Sequence, residues 1–154
     1  MEYGDLSQLI SSGKASLAIH ALKEWEKDFA SHHEPLLQAL QLNDPQVLEV
    51  ALKLAEKYHP AVCAEPIVAL LKSADSLTRR LAVQSLIPAM GACAEEGLKM
   101  LFVSEQDVFV LASAVTAAAR LNVGVEYVTP YFAHQDIRLR ANAIRAAAKL
   151  GRSQ

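Results

Sequence analysis

Few residues in this chain are placed to do chemistry. The histidines are His20, His32, His33, His59 and His134, and only His32-His33-Glu34 joins imidazoles to a carboxylate, the donor types that hold first-row metals. One such triplet cannot fill a coordination sphere, and it lies between helical stretches, so it reads as a loop. Carboxylates pair at Glu24/Glu26 and Glu95/Glu96, but at helix starts or on polar faces where no apolar pocket would raise a pKa. A glycine-rich phosphate loop, a Gly-x-Ser-x-Gly elbow and a Cys-x-x-Cys pair are missing. The expectation is a protein that is not an enzyme, with no catalytic residue, no metal and no cofactor.

Recognition chemistry is better represented. The net charge is only −2, which argues against a general polyanion binder, but it is unevenly spread. Residues 1–77 hold six lysines against eleven acids; residues 78–154 hold nine basic residues against six acids, and all seven arginines are among them. Arginine offers a weakly hydrated, bidentate fork that lysine lacks. The plain reading is that solvated faces drift in composition; the sharper one is a bipolar molecule whose second half receives an acidic partner surface.

These residues are positioned by a repeat. In residues 65–94 two short helical patterns flank Ser73-Ala74-Asp75-Ser76, residues that hydrogen-bond backbone locally and so punctuate helices. With Asp75 as an anchor, the arrangement recurs at Asp44, Asp107 and Asp136, at spacings of 31, 32 and 29 residues. Seven places after each anchor stands alanine (Ala51, Ala82, Ala114, Ala143), and eight places after it an aliphatic residue (Leu52, Val83, Val115, Ile144). Eleven places after come Ala55, Leu86, Ala118 and Ala147; four before come Leu40, Leu71, Val103 and Phe132, the apolar ends of the preceding helices. An unvarying alanine fits close approach between stacked helices.

In this register, D-x6-A-[LVI]-x2-[AL] over residues 34–151, the chain resembles the HEAT-repeat family in its short bacterial, PBS-lyase-type form. The family's usual arginine occurs only as Arg79 and Arg140, with Leu48 and Leu111 at the matching places. The resemblance implies an all-α fold, a right-handed α-α superhelix (α-solenoid) of about five antiparallel helix pairs. It also implies that the second helix of each pair lines a concave surface. Side chains two, five, six and nine places after the anchors are then its candidates, and Arg80, Gln84, Phe109, Ser113, Arg138, Asn142 and Arg145 are the expected partner-binding residues. Phe109 between arginines has the make-up of an interaction hot spot, with core filling as the plain alternative. HEAT-like proteins include deoxyhypusine hydroxylase, phycobilin lyases and DNA glycosylases. The first needs several His-Glu motifs, the second has no mark here, and the third would want a strongly basic groove with a placed acid.

The reading is a single domain over 1–154, with four regular pairs at 34–58, 65–91, 94–121 and 126–150, and about ten helices in all. Residues 1–33 form a degenerate capping pair in which Trp25 is core, with Lys23, Glu24, Glu26, Lys27 and Asp28 as its polar face. Gly91, Gly124 and Gly151 are expected to close second helices, and Pro130 to delay or kink the ninth. Lys99–Val103 and Val108–Leu111 are rich in strand formers, but the register makes them helical. Cys63 and Cys93 occupy equivalent places in successive repeats, too far apart to bond, and read as free thiols. In the last helix Ala141, Ile144, Ala147 and Ala148 form the inner stripe; either the basic residues beside it seal the end, or a partner or second copy packs there. With no apolar run of about twenty residues and an acidic N-terminus, the expected setting is cytoplasmic, without membrane insertion. The expected function is a protein-protein adaptor or scaffold that binds an acidic or amphipathic segment; the alternative is an enzyme or lyase subunit, or a nucleic-acid binder, holding a ligand in the groove.

Overall fold

A computed structural model describes residues 1–152. Nine α-helices and four short 3-10 helices make up its regular structure, with no strand among the described residues. The helices are α1 (Tyr3–Ile10), α2 (Ala15–Asp28), α3 (Glu34–Leu40), α4 (Pro45–Tyr58), α5 (Ala64–Leu70), α6 (Ser76–Gln84), α7 (Ala92–Ser104), α8 (Val108–Arg120) and α9 (Ile137–Arg152). The repeat anchor proves to be the helix N-cap in every copy. Asp44 accepts from the Gln46 and Val47 amides, Asp75 from Thr78, Asp107 from Phe109 and Val110, and Asp136 from Leu139. Each carboxylate thus satisfies amides that the first helical turn leaves without a partner.

Contacts run between sequential pairs (α1 with α2, α3 with α4, α5 with α6, α7 with α8) and along two rows. One row is α2, α4, α6, α8, α9; the other is α1, α3, α5, α7. Between the rows lies one continuous apolar core. The alanines seven places after the anchors are fully buried in all four copies, as close helix contact requires. Arg79 and Arg140 also share a role. Each sends Nη1 to a carbonyl six residues upstream, Ser73 at 2.9 Å and His134 at 2.8 Å, tying the interhelix turn to the helix it precedes. Arg79 in addition grips the buried Glu105 carboxylate with Nε and Nη2, at 2.7 and 3.1 Å.

Trp25 is core, as expected: it is fully buried, its Nε1–H donates to the His32 carbonyl at 2.6 Å, and its ring meets Tyr58 edge-on. Both strand-rich segments lie in helices, α7 and α8. Four expectations need correction. The ninth helix does not form; Val125–Tyr127 and Thr129–Tyr131 are 3-10 helices, because Pro130 has no amide hydrogen to continue an α-helical ladder. The glycines do not close second helices. Left-handed residues after α4 and α8 are His59 (φ 48°) and Asn122 (φ 54°), while Gly91 precedes α7, Gly124 has φ −55° and Gly151 continues α9. Val103 and Phe132 are exposed where Leu40 and Leu71 are buried, since α7 presents Leu101 to the core and no α-helix carries Phe132. Finally, α9 buries Leu139, Ala143, Ala146 and Leu150, which leaves Ile144 and Ala148 on its open side. None of the helices in residues 1–152 is long and apolar enough to cross a membrane.

Candidate functional site

Helices α6, α8 and α9 lie consecutively in their row, and their like-numbered turns therefore present side chains along one shared edge. There Arg80 and Gln84 of α6, Phe109, Ser113, Thr116 and Arg120 of α8, and Arg138 and Asn142 of α9 surround a cavity of about 260 Å³. A second hollow of about 260 Å³ continues along α8 and α9 and includes Asn142, Arg145 and Lys149. Six of the seven partner-binding candidates from the sequence thus line the first hollow, and Arg145 lines the second, which shares Thr116 and Asn142 with it to make one groove. Of the other offset positions, Leu81 and Ala112 are buried, so these two are packing residues.

The groove is both cationic and ordered. Phe109 is 54% exposed, and the Arg138 guanidinium stands over its ring at 5.7 Å, a cation-π contact. Gln84 Nε2 donates to Ser113 Oγ at 3.4 Å, Asn142 Nδ2 to the Ala112 carbonyl at 3.1 Å, and Arg145 Nη2 to Asn142 Oδ1 at 2.9 Å. No aspartate or glutamate is among the residues lining either hollow. Arg120 was not legible as a site residue. It sits at the end of α8, where its Nε–H donates to the Leu86 carbonyl at 2.7 Å and Nη2 to the Val83 carbonyl at 3.0 Å. Desolvation by these surroundings lowers its pKa.

A larger cavity, of about 670 Å³, lies in the other row between α5 and α7. Gly97, inside α7, lets the two helices approach at its edge: a Cβ there would come within 2.8 Å of Val68 Cγ1. Val68, Leu71, Met100 and Leu101 supply its apolar wall; of its charged groups Arg79 pairs with Glu105 and Glu96 with Lys99, and Lys72 also lines it.

Elsewhere the candidate chemical groups have structural partners. Glu34 accepts a hydrogen bond from the Tyr3 hydroxyl at 3.0 Å, and His32 packs against the Tyr3 ring at 5.3 Å. Glu24 pairs with Lys27, Glu96 with Lys99, and Glu26 with Lys57 and Tyr58 of α4. Hydrogen bonding to Lys27 and to Lys57 respectively holds the Glu24 and Glu26 carboxyls below the usual range. Glu26 thus ties α2 to α4 through a solvent-accessible pair. Both cysteines are free; burial pushes the Cys63 thiol up to about 11, which keeps it protonated and unreactive. Among the described residues no group of three or more His, Cys, Asp or Glu side chains is arranged to hold a metal ion.

No protein-family model matches this chain, and no curated protein matches it.

Proposed function

We propose that the chain is a short right-handed α-solenoid of the HEAT-like type that works as a non-catalytic cytoplasmic adaptor. Its concave face is the α6-α8-α9 edge, and its ligand is an acidic, amphipathic segment of a partner protein. The observation that carries this reading is the groove itself: Arg80, Arg120 and Arg138 line one hollow with an exposed phenylalanine, Arg145 lines the adjoining one, and no carboxylate lines either. A segment with one apolar side chain for Phe109 and two or three carboxylates for the arginines would match it in both shape and charge. In this reading the alanines after each anchor keep the helices close enough to form a rigid ledge, so binding orders chiefly the partner.

The test uses the purified chain as bait in extract from its own cells, beside an Arg80→Ala/Phe109→Ala/Arg145→Ala variant with unchanged circular dichroism. Proteins retained by the first and lost by the second are mapped to the bound segment, and a synthetic peptide of that segment is titrated by fluorescence anisotropy. The reading requires an acidic segment, at least a tenfold loss of affinity in the variant, and weakening with salt. A segment without acidic residues, or equal binding by both baits, overturns it.

A further inference from the structure

We propose that the open side of α9 is a self-association surface, on which α9 of a second copy packs antiparallel across a two-fold axis. The repeat register exposes the anomaly. Eight places after the anchors, Leu52, Val83 and Val115 are fully buried, but Ile144 is 52% exposed. Ile137 is 72% exposed, Ala148 is exposed, and Ala141 is half-buried. These four lie at steps of four, three and four residues and so form one stripe along the helix.

The stripe continues an interface already present in the fold. Ala141 and Ile144 hold in α9 the places that Ala112 and Val115 hold in α8, and those are buried where α9 packs; the Asn142 side chain reaches the Ala112 carbonyl across that contact. The face that each inner helix of the row covers with its successor is thus left open on α9.

The order of residues identifies the occupant. Ile137, Ala141, Ile144 and Ala148 read large, small, large, small, and the midpoint of 137 and 148 coincides with that of 141 and 144. A reversed copy therefore sets each isoleucine against an alanine, the self-complementarity that a two-fold interface requires. It also runs the two helix dipoles antiparallel and brings the turn bearing Lys149 and Arg152 near the turn that starts at Asp136. The arginines beside the stripe are directed elsewhere: Arg138 to Phe109, Arg145 to Asn142 and Arg140 to the His134 carbonyl. Head-to-tail stacking fits poorly, because the matching exposed stripe of α2 is Ser16, His20, Lys23 and Lys27, which offers no apolar surface.

The whole chain is examined by sedimentation equilibrium at about 1–200 µM. A stripe of this size is below the area of most stable interfaces, so the expected behaviour is a dimer that dissociates on dilution. Ile144→Glu, with helical content unchanged, is expected to be monomeric throughout. Geometry is read in a Cys93→Ser background: an Ile137→Cys chain mixed with an Ala148→Cys chain is expected to cross-link as a mixed pair. Neither should cross-link alone, because like positions in the antiparallel pair are separated by about 16 Å along the axis. A monomer at every concentration, as when another protein or a following segment of chain covers α9, overturns the proposal. So does a dimer that survives Ile144→Glu, or efficient self-cross-linking of Ile137→Cys.

Discussion

Helices α2 and α9 flank the same row and carry outward stripes of identical step, yet the stripes are chemical opposites. In α2 the stripe is Ser16, His20, Lys23 and Lys27; in α9 it is Ile137, Ala141, Ile144 and Ala148. Behind α2 the chain is also fastened by local chemistry. Trp25 is sealed by the His32 carbonyl and the Tyr58 ring, Tyr3 by Phe29, His32 and Glu34, and Glu26 by Lys57. Behind α9 stand two 3-10 helices and an apolar contact with α8. The polar stripe of α2 closes its side of the row toward water, whereas the apolar stripe of α9 leaves its side open.

The largest expected effect lies at the closed side. Trp25→Ala removes a fully buried indole and is expected to cost about 3–5 kcal/mol in urea denaturation; a loss under about 1 kcal/mol would mean that the fastening around α2 is decorative.

Between the two sides, the Arg79-Glu105 pair gives a smaller effect and one that depends on pH. Burial acts to raise the Glu105 pKa, but the Arg79 fork and the Gln106 and Asp107 amides outweigh it and hold the carboxyl below its usual range. The native state then binds fewer protons than the unfolded chain, so this contribution is complete above the ordinary glutamate pKa and fades as pH falls through the depressed native value. Glu105→Gln is expected to cost roughly 2–3 kcal/mol at neutral pH, toward the low side for breaking a buried pair because the Arg79 side chain stays 20% exposed. Stability measured against pH should be correspondingly flatter in the variant below the ordinary glutamate range; parallel curves would contradict the assignment.

The smallest effect belongs to the open side. Ile144→Ala, compared with Val115→Ala at the same repeat position, is expected to change the stability of the dilute chain by under about 0.5 kcal/mol, while Val115→Ala costs well over 1 kcal/mol. Equal losses would show that α9 is covered within one chain, and would erase the contrast.

Why some of this was readable in advance follows from the range of the forces concerned. An aspartate capping its own helix acts over two or three residues, so the four anchors and the faces counted from them could be read directly. For the same reason Arg80, Gln84, Phe109, Ser113, Arg138, Asn142 and Arg145 are legible as a group in the sequence: equal offsets on neighbouring helices fall on one edge. Features set by longer-range packing were not readable. Asn122 holds the left-handed position after α8 that was expected of Gly124, His59 holds one after α4 that no glycine marks, and the stripe Ile144-Ala148, apolar enough to look like core, faces outward because no described helix packs over it. The α5-α7 cavity depends on where Gly97 meets Val68, a pairing that no local pattern records.

Arg120 gives the groove a property that a count of its charges would miss. An unrestrained arginine surrenders about 2 kcal/mol of rotamer entropy when a ligand fixes it. In Arg120 the Val83 and Leu86 carbonyls have already fixed Nε and Nη2, so that loss falls on folding, while Nη1 is unused by those two bonds. A carboxylate arriving at that edge, as the proposed function requires, would meet a cation with one orientation, and the discrimination would be angular as well as electrostatic.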